Sequence, residues 1–365
     1  MNILIVGAGL SGCTMARTLA EKGVKVHIIE KRNHIAGNCY DEINHHGIRV
    51  SKYGAHLFHT NSERVWAFVN RFAEWIPWHH KVIGNIDGTY FPIPVNRTTM
   101  NILCGTHLQT EEEMKESLQK NTIPYENPKN SEEVALQRVG PELYEKIFKE
   151  YTYKQWAKYP AELDASVLAR IPVRTNDEDG YFSDNYQALP KDGYTTFVRA
   201  MIDHPLIRID LNTPYTEEMR SHYDRVCYTG PIDLFYKDRS YPPLEYRSIH
   251  FDTIHLPINH FQTNSVVNYP SAAVPYTRIV EYKHFLNQDV PGRTTIVKEY
   301  TVADGEPYYP VPTAKNKEIY EQYQQLAKEE KDVLFVGRLA NYKYYNMDAA
   351  IENALEESDR ITLPQ

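Results

Sequence analysis

Four residues near the amino terminus have the types and spacing of a nucleotide-binding turn. Gly7, Gly9 and Gly12 follow the apolar run Ile3-Leu4-Ile5-Val6, and Glu30 closes a second apolar run, Val24 to Ile29. In this order the first glycine permits a tight turn and the second lets a pyrophosphate approach the backbone. The third lets a helix pack closely on the strand. A helix over Cys13 to Lys22 would aim its free N–H groups and positive dipole end at that pyrophosphate. An acid about 20 residues past the glycines accepts bonds from a ribose 2′-OH and disfavours a 2′-phosphate. A lone glycine motif is an ordinary turn. Here strand, helix, strand and terminal Glu30 occur together, so a dinucleotide is expected. The spacing does not choose between NAD and FAD.

Such residues need elements to position them. A chain of 365 residues suggests two or three domains with ample core. A hydrophobic fraction of 42% and a net charge of −8 indicate a globular protein with no basic footprint for nucleic acid or an anionic membrane. No signal peptide or bilayer-spanning run is read in the sequence. Cys13, Cys39, Cys104 and Cys227 are scattered, as expected of reduced, mostly buried thiols in a cytoplasmic protein. The 15 histidines show no metal-ligand spacing, so no metal is expected, and the pairs His45-His46 and His79-His80 are expected at the surface. The 28 tyrosines are unusual. A ring with a hydroxyl suits a polar aromatic ligand, although most will pack.

Along the chain, Lys31 and Arg32 place positive charge beside the presumed dinucleotide, and Ala36-Gly37-Asn38 forms a tight turn near it. His56 and His59 flank an apolar pair. A helix is expected over Glu63 to Phe72, then a β-hairpin turning at Asp87-Gly88. From about Thr98 to Tyr159 the pattern is charged and helical in period, with Thr110 and Ser131 as N-caps. Its last helix ends in an aromatic cluster, Phe148, Tyr151, Tyr153 and Trp156. The next segment lacks a period, holds Arg170 and Arg174, and is expected to move. "FQTNSVVNYP", "YTRIVEYKHF" and "TTIVKEYTV" alternate as a second, antiparallel sheet. Near the end an apolar strand stops at Gly337-Arg338 and a helix begins near Met347, returning the chain to the first domain.

At "EKRNHIAGN", "KYGAHLFHT", "YTYKQW", "PVRTNDEDGYFSDNYQALPKDGYT", "VCYTGPID", "VPYTRIVEYKHF", "PYYPV" and "FVGRLANYKYYNMD" the chain closely resembles the bacterial UDP-galactopyranose mutases, in family order over nearly its whole length. The resemblance implies an α/β fold, FAD and a homodimer. It implies a Rossmann-like FAD domain (1–78, 195–235 and 315–365) and an inserted helical bundle (98–160). An antiparallel β-sheet domain (79–97, 161–194 and 236–314) would complete the chain, with a mobile loop near 163–176. The implied enzyme is a flavin-dependent isomerase. It interconverts UDP-galactopyranose and UDP-galactofuranose through a covalent adduct between reduced flavin N5 and the sugar. No Ser-His-Asp or Cys-His set is then needed, because the cofactor is the nucleophile.

By motif match the resemblance assigns Arg170 and Arg278 to the departing diphosphate, which a planar fork that stays charged suits. His56 and His59 fall beside the flavin. Tyr181, Tyr309 and Tyr344 match phosphate-holding tyrosines, and Phe148 and Tyr151 the uridine-side aromatics. Trp156, Thr152 and Asn268 fall among the substrate-binding residues, and Glu299 near the sugar. The dinucleotide set is Gly7, Gly9, Ser11, Gly12, Glu30, Lys31, Arg32, Gly37, Asn38, His56, Arg338, Asn346 and Met347. Ala36 and Ala157 stand where glycine is usual, and Asn346 stands where an aspartate is frequent. These departures leave the sugar open among galactose, its N-acetylated form and other nucleotide-linked pyranoses. A flavin amine-oxidase-like oxidoreductase and a nucleotide-sugar binding protein without chemistry are the competing readings.

Overall fold

The computed structural model describes residues 1–362. Its first layer is a five-stranded parallel sheet. Strands Ile207–Asp210, Lys25–Ile29, Asn2–Val6, Arg225–Tyr228 and Val333–Phe335 lie side by side in that order. The central strand is almost fully buried at Ile3, Leu4 and Ile5, as an apolar run in a parallel sheet must be. The first helix spans Leu10–Glu21, three residues earlier than the sequence suggested. Gly12 therefore lies inside the helix. A Cβ there would stand 2.0 Å from the Gly7 carbonyl oxygen, so only glycine lets helix and strand approach this closely. The carboxy-terminal helix Met347–Arg360 packs against the first helix.

The second layer is a seven-stranded sheet built around the long strands Tyr246–Leu256 and Thr294–Val302, with Arg278–Glu281 and Val266–Asn268 beside them. It is antiparallel except where Val266–Asn268 runs parallel to Val82–Ile86. The hairpin Val82–Ile86 and Thr89–Ile93 turns at Asp87-Gly88, as expected. Both residues take positive φ (49° and 87°), the backbone of a two-residue primed turn.

Helices Arg97–Cys104, Glu111–Asn121, Ser131–Leu143 and Glu150–Trp156 form the helical insertion. Thr110 caps its helix, accepting from the Glu113 amide. The cap before Ser131 is instead Asn130, which accepts from Glu133. Ser131 is drawn inside because its hydroxyl donates to the Asp164 carbonyl at 2.6 Å. Tyr144–Lys149 winds as a π-helix after a kink at Gly140-Pro141. The helix Glu63–Val69 stops short of the expected Phe72. A small sheet of Phe58–Thr60, Tyr186–Pro190 and Trp75–Pro77 links the two layers in sequence. Among the described residues no helix is long and apolar enough to cross a membrane.

Candidate active site

At the dinucleotide turn, Gly9 and Gly37 approach so closely that a Cβ on Gly37 would lie 2.8 Å from the Gly9 Cα. Glu30 is buried and fixes this turn. One carboxylate oxygen accepts from the Ala8 amide at 2.8 Å, the other from the Arg32 amide at 2.9 Å. A cavity of about 910 Å³ opens beside it, lined by Gly7, Gly9, Glu30, Gly37, Asn38 and Thr229 among others. These glycines and the first helix's N-terminus fit a dinucleotide. Lys31 and Arg32 do not stand as free cations. Both pair with Glu306, at 2.9 and 3.1 Å, and Arg32 also donates to Asn38 and lies over the Tyr53 ring. Ser11 packs against Gly337, Met347 is buried against Cys39, and Asn346 precedes the last helix without a side-chain cap.

Ala36, standing for a glycine, takes a left-handed backbone (φ 72°) at the Gly37 turn. Ala157 does the same after the helix ending at Trp156 (φ 52°). Both positions favour glycine for a steric reason, and alanine accepts the strain at a cost of about 1 kcal/mol.

The sheet layer brings distant residues into one row. Strand register pairs Asn268 with Arg278, and Arg278 with Glu299. Arg278 Nε donates to Glu299 Oε2 at 2.7 Å. Desolvation alone would weaken the Arg278 charge, but buried Glu299 together with Tyr151 and Tyr309 outweighs it and holds the guanidinium firmly protonated. The other Glu299 oxygen and the Asn268 side-chain oxygen are buried with no hydrogen-bond partner among the described residues. A buried acceptor without a donor costs about 1–3 kcal/mol, so this row is suited to receive donors from a ligand.

An aromatic stack faces the row. Tyr309 and Tyr344 lie nearly parallel, 5.3 Å apart, with Trp156 about 6 Å from both (6.3 and 6.0 Å). Arg170 sits 4.2 Å above the Tyr344 ring, and Arg338 lies 5.5 Å from both tyrosine rings. Desolvation, followed by the neighbouring Tyr344, pushes Tyr309 up to about 12. At Tyr344 desolvation also opposes ionisation, yet Arg170, Arg338 and Arg278 together hold the phenol below its usual value. Three cations thus converge on one pair of phenols. Tyr181 and Tyr151 belong to the same electrostatic cluster. Phe148 and Thr152 are buried in the helical layer, with Phe148 packed in its core.

Two short anchors hold the segment bearing Arg170. Arg138 donates to the Leu168 and Ala169 carbonyls at 3.0 and 2.9 Å, and Ser131 binds Asp164. Lys154 was not foreseen. Its ammonium donates to the carbonyls of Ser271, Val274 and Tyr276 at 2.9–3.2 Å, tying the helix before Trp156 to the loop that enters the Arg278 strand. Burial pushes this lysine down to about 8. A lysine on a charged helix face gives no sequence signal for such a role.

The two histidines of "GAHLFHT" separate. His56 Nδ1 donates to the Gly54 carbonyl at 2.8 Å, which leaves Nε2 as the bare nitrogen. Burial pushes His56 down to about 4, so it is neutral. Gly54 in turn lies against Glu299. His59 is not brought into this cluster: it pairs with Asp184 at 2.9 Å and stacks on Phe182 at 3.7 Å. His80, expected at the surface with His79, is buried at 4% exposure among Tyr181, Phe182 and Phe285. His79 is exposed.

Comparison with known proteins agrees with this geometry. Residues 146–344 match the UDP-galactopyranose mutase family and residues 5–72 an NAD(P)-binding Rossmann-like domain. A probable UDP-galactopyranose mutase of Klebsiella pneumoniae is 41% identical over 98% of this chain and 94% of its own. A dTDP-fucopyranose mutase of Escherichia coli is 40% identical over 97% of both. The crystal structure of a reduced UDP-galactopyranose mutase superposes with a TM-score of 0.78 at 17% identity, covering 98% of this chain and 94% of that one. With its Rossmann-like layer, its fitted turn and this breadth of similarity, the chain belongs to the UDP-galactopyranose mutase family, and its dinucleotide is FAD.

Proposed function

We propose that the protein is a flavin-dependent isomerase that interconverts UDP-galactopyranose and UDP-galactofuranose. The observation that carries this reading is the row Asn268–Arg278–Glu299, with its two unpartnered buried acceptors, facing the Arg170–Tyr344–Tyr309–Arg338 cluster. Sugar hydroxyls are donors that suit the acceptors. A diphosphate needs cations and hydroxyl donors, which the arginines and phenols offer. Reduced FAD, when bound, supplies the nucleophile. The chain's own task is to orient the sugar, retain the nucleoside diphosphate and handle a proton.

Within that task, Glu299 aims the Arg278 fork and keeps it charged. Arg170, at the edge of the cleft, covers the diphosphate against the Tyr344 face. Tyr309 adds a neutral hydroxyl donor that stays protonated because its phenol is hard to ionise. Neutral His56, with Nε2 bare, can accept a proton and give it back. The protein is further proposed to act as a cytoplasmic homodimer, which light scattering tests by a mass of twice the 42.5 kDa chain.

A second reading has a specific basis: the fucopyranose mutase is almost as similar as the galactopyranose one. Reduced protein is therefore incubated in parallel with UDP-galactofuranose and dTDP-fucofuranose, and products are separated by chromatography. Preferential formation of UDP-galactopyranose is expected. Preferential turnover of the deoxy sugar overturns the sugar assignment, and turnover of neither overturns the enzyme reading.

A further inference from the structure

The turn between strands Asp41–Ile43 and Arg49–Ser51 carries His45 and His46, and the end of the long strand Tyr246–Leu256 brings His255 against them. The ring centroids are 4.3 Å apart for His45–His46, 4.3 Å for His45–His255 and 4.8 Å for His46–His255. One ligand-capable nitrogen from each ring lies within 4.8 Å of the other two. We propose that His45, His46 and His255 form a binding site for a divalent cation of the zinc class, with the fourth coordination position open to solvent.

Three features support a ligand rather than packing alone. First, the surroundings orient the rings. Thr295 Oγ1 bonds His255 Nδ1 at 3.0 Å and accepts from Asn44 at 2.9 Å, leaving His255 Nε2 for a cation. Such outer bonds fix the tautomer of metal-binding histidines. Second, His46 Nδ1 is buried without a partner among the described residues. Third, the backbone of the turn is already set, since the Asn44 side chain accepts from the amides of His46 and Ile48 at 2.9 and 3.1 Å. Exposed His45 lines a cavity of about 440 Å³ through which an ion can enter.

The donor set selects the cation. Imidazole nitrogens suit zinc, nickel and copper, whereas calcium and magnesium require oxygen. With zinc–nitrogen bonds of about 2.0–2.1 Å, tetrahedral nitrogens stand about 3.4 Å apart. The nitrogens must therefore close by up to about 1.4 Å, which side-chain rotation of the exposed His45 and His255 can supply. A second group, His260, Glu281 and His284, also clusters. There Glu281 is already occupied by the Phe261 and Gln262 amides and the Thr294 hydroxyl at 2.9, 2.9 and 2.6 Å, so it serves the fold.

The test uses FAD-loaded protein stripped with a chelator, titrated calorimetrically with zinc chloride and nickel chloride. One equivalent per chain is expected to bind at micromolar or tighter dissociation constant and to raise the melting temperature. H45A and H255A should each weaken binding by at least about tenfold, and H45A/H46A/H255A should abolish it, while H260A changes nothing. Because His45 is exposed, H45A keeps the test independent of folding. Bound copper(II) should show nitrogen superhyperfine structure in its electron paramagnetic resonance spectrum. Absence of saturable binding, or binding that persists in the triple variant, overturns the proposal.

Discussion

The dinucleotide turn and the cross-strand row are each organised by a buried glutamate, and the two glutamates differ in what they have left to offer. Both oxygens of Glu30 already accept backbone amides, and Gly7, Gly12 and Gly37 near it are held by contacts that admit no side chain. Glu299 gives one oxygen to Arg278 and leaves the other buried without a partner among the described residues, like the side-chain oxygen of Asn268 on the far side of Arg278. The first region is a shaped seat whose requirements are steric and local. The second is a polar surface with unused hydrogen-bonding capacity, where a ligand supplies the missing donors. Changes in the seat should therefore remove the cofactor, and changes in the row should spare the cofactor and remove turnover.

The largest effect breaks the seat. Gly12→Val places a branched side chain where even a Cβ would lie 2.0 Å from the Gly7 carbonyl oxygen. Flavin content per chain, read by absorbance, should fall below about a tenth of normal, because helix and strand can no longer close on the pyrophosphate. Near-full flavin in this variant would show that the close approach is not what seats the dinucleotide.

The next effect breaks the row. Arg278→Ala leaves Glu299 as a buried, uncompensated charge and should cost about 3 kcal/mol of stability. It should also lower kcat/KM by about 10–100-fold, from charge-assisted bonds of about 1.5–3 kcal/mol. Flavin content should hold. Arg278→Ala combined with Glu299→Gln should recover stability and not activity. Arg170→Ala should lower kcat/KM similarly with little change in stability, and Arg170→Lys should rescue only partly, since an ammonium lacks the planar fork. Flavin loss in either alanine variant would merge the two regions that the comparison separates.

A smaller effect is read in pH. Burial, then the charges of Arg278 and His59, push His80 down to about 3. Its folded-state value lies below its unfolded one, so the unfolded chain binds more protons between about pH 6.5 and 3. Stability from this residue is complete above the unfolded value and declines as pH falls through that window, by about 2 kcal/mol between pH 7 and 5. Urea midpoints across that range should flatten in His80→Phe, and an unchanged slope would remove His80 as the cause. The smallest effect is Ala157→Gly. Relief of the left-handed backbone at an exposed helix end should raise stability by up to about 1 kcal/mol, seen as a higher melting temperature.

The same contrast governs what the sequence reveals. The glycine turn, the Asp87-Gly88 hairpin and the Thr110 cap are visible because one short segment contains everything that determines them. The helix starting at Met347 is visible for the same reason. The row is not: Asn268, Arg278 and Glu299 meet only through register between three strands, which no local pattern encodes. Family resemblance brought these residues together, and the fold explains why they touch. His80 was misplaced because an imidazole beside exposed His79 gives no sign of which face is covered. His255 was missed as a neighbour of His45-His46 because more than two hundred residues separate them. Asn130 took the cap from Ser131 through a tertiary bond to Asp164, again beyond local reach.

Isomerisation of the sugar by this chain requires a reduced flavin although no reductant is consumed. The direct measurement follows UDP-galactofuranose conversion by chromatography with the same preparation in its oxidised and dithionite-reduced forms, while flavin absorbance is monitored. UDP-galactopyranose is expected to form only with the reduced protein, over many turnovers, with the flavin still reduced at the end. Equal rates in both forms, or flavin oxidation in step with product, would contradict it.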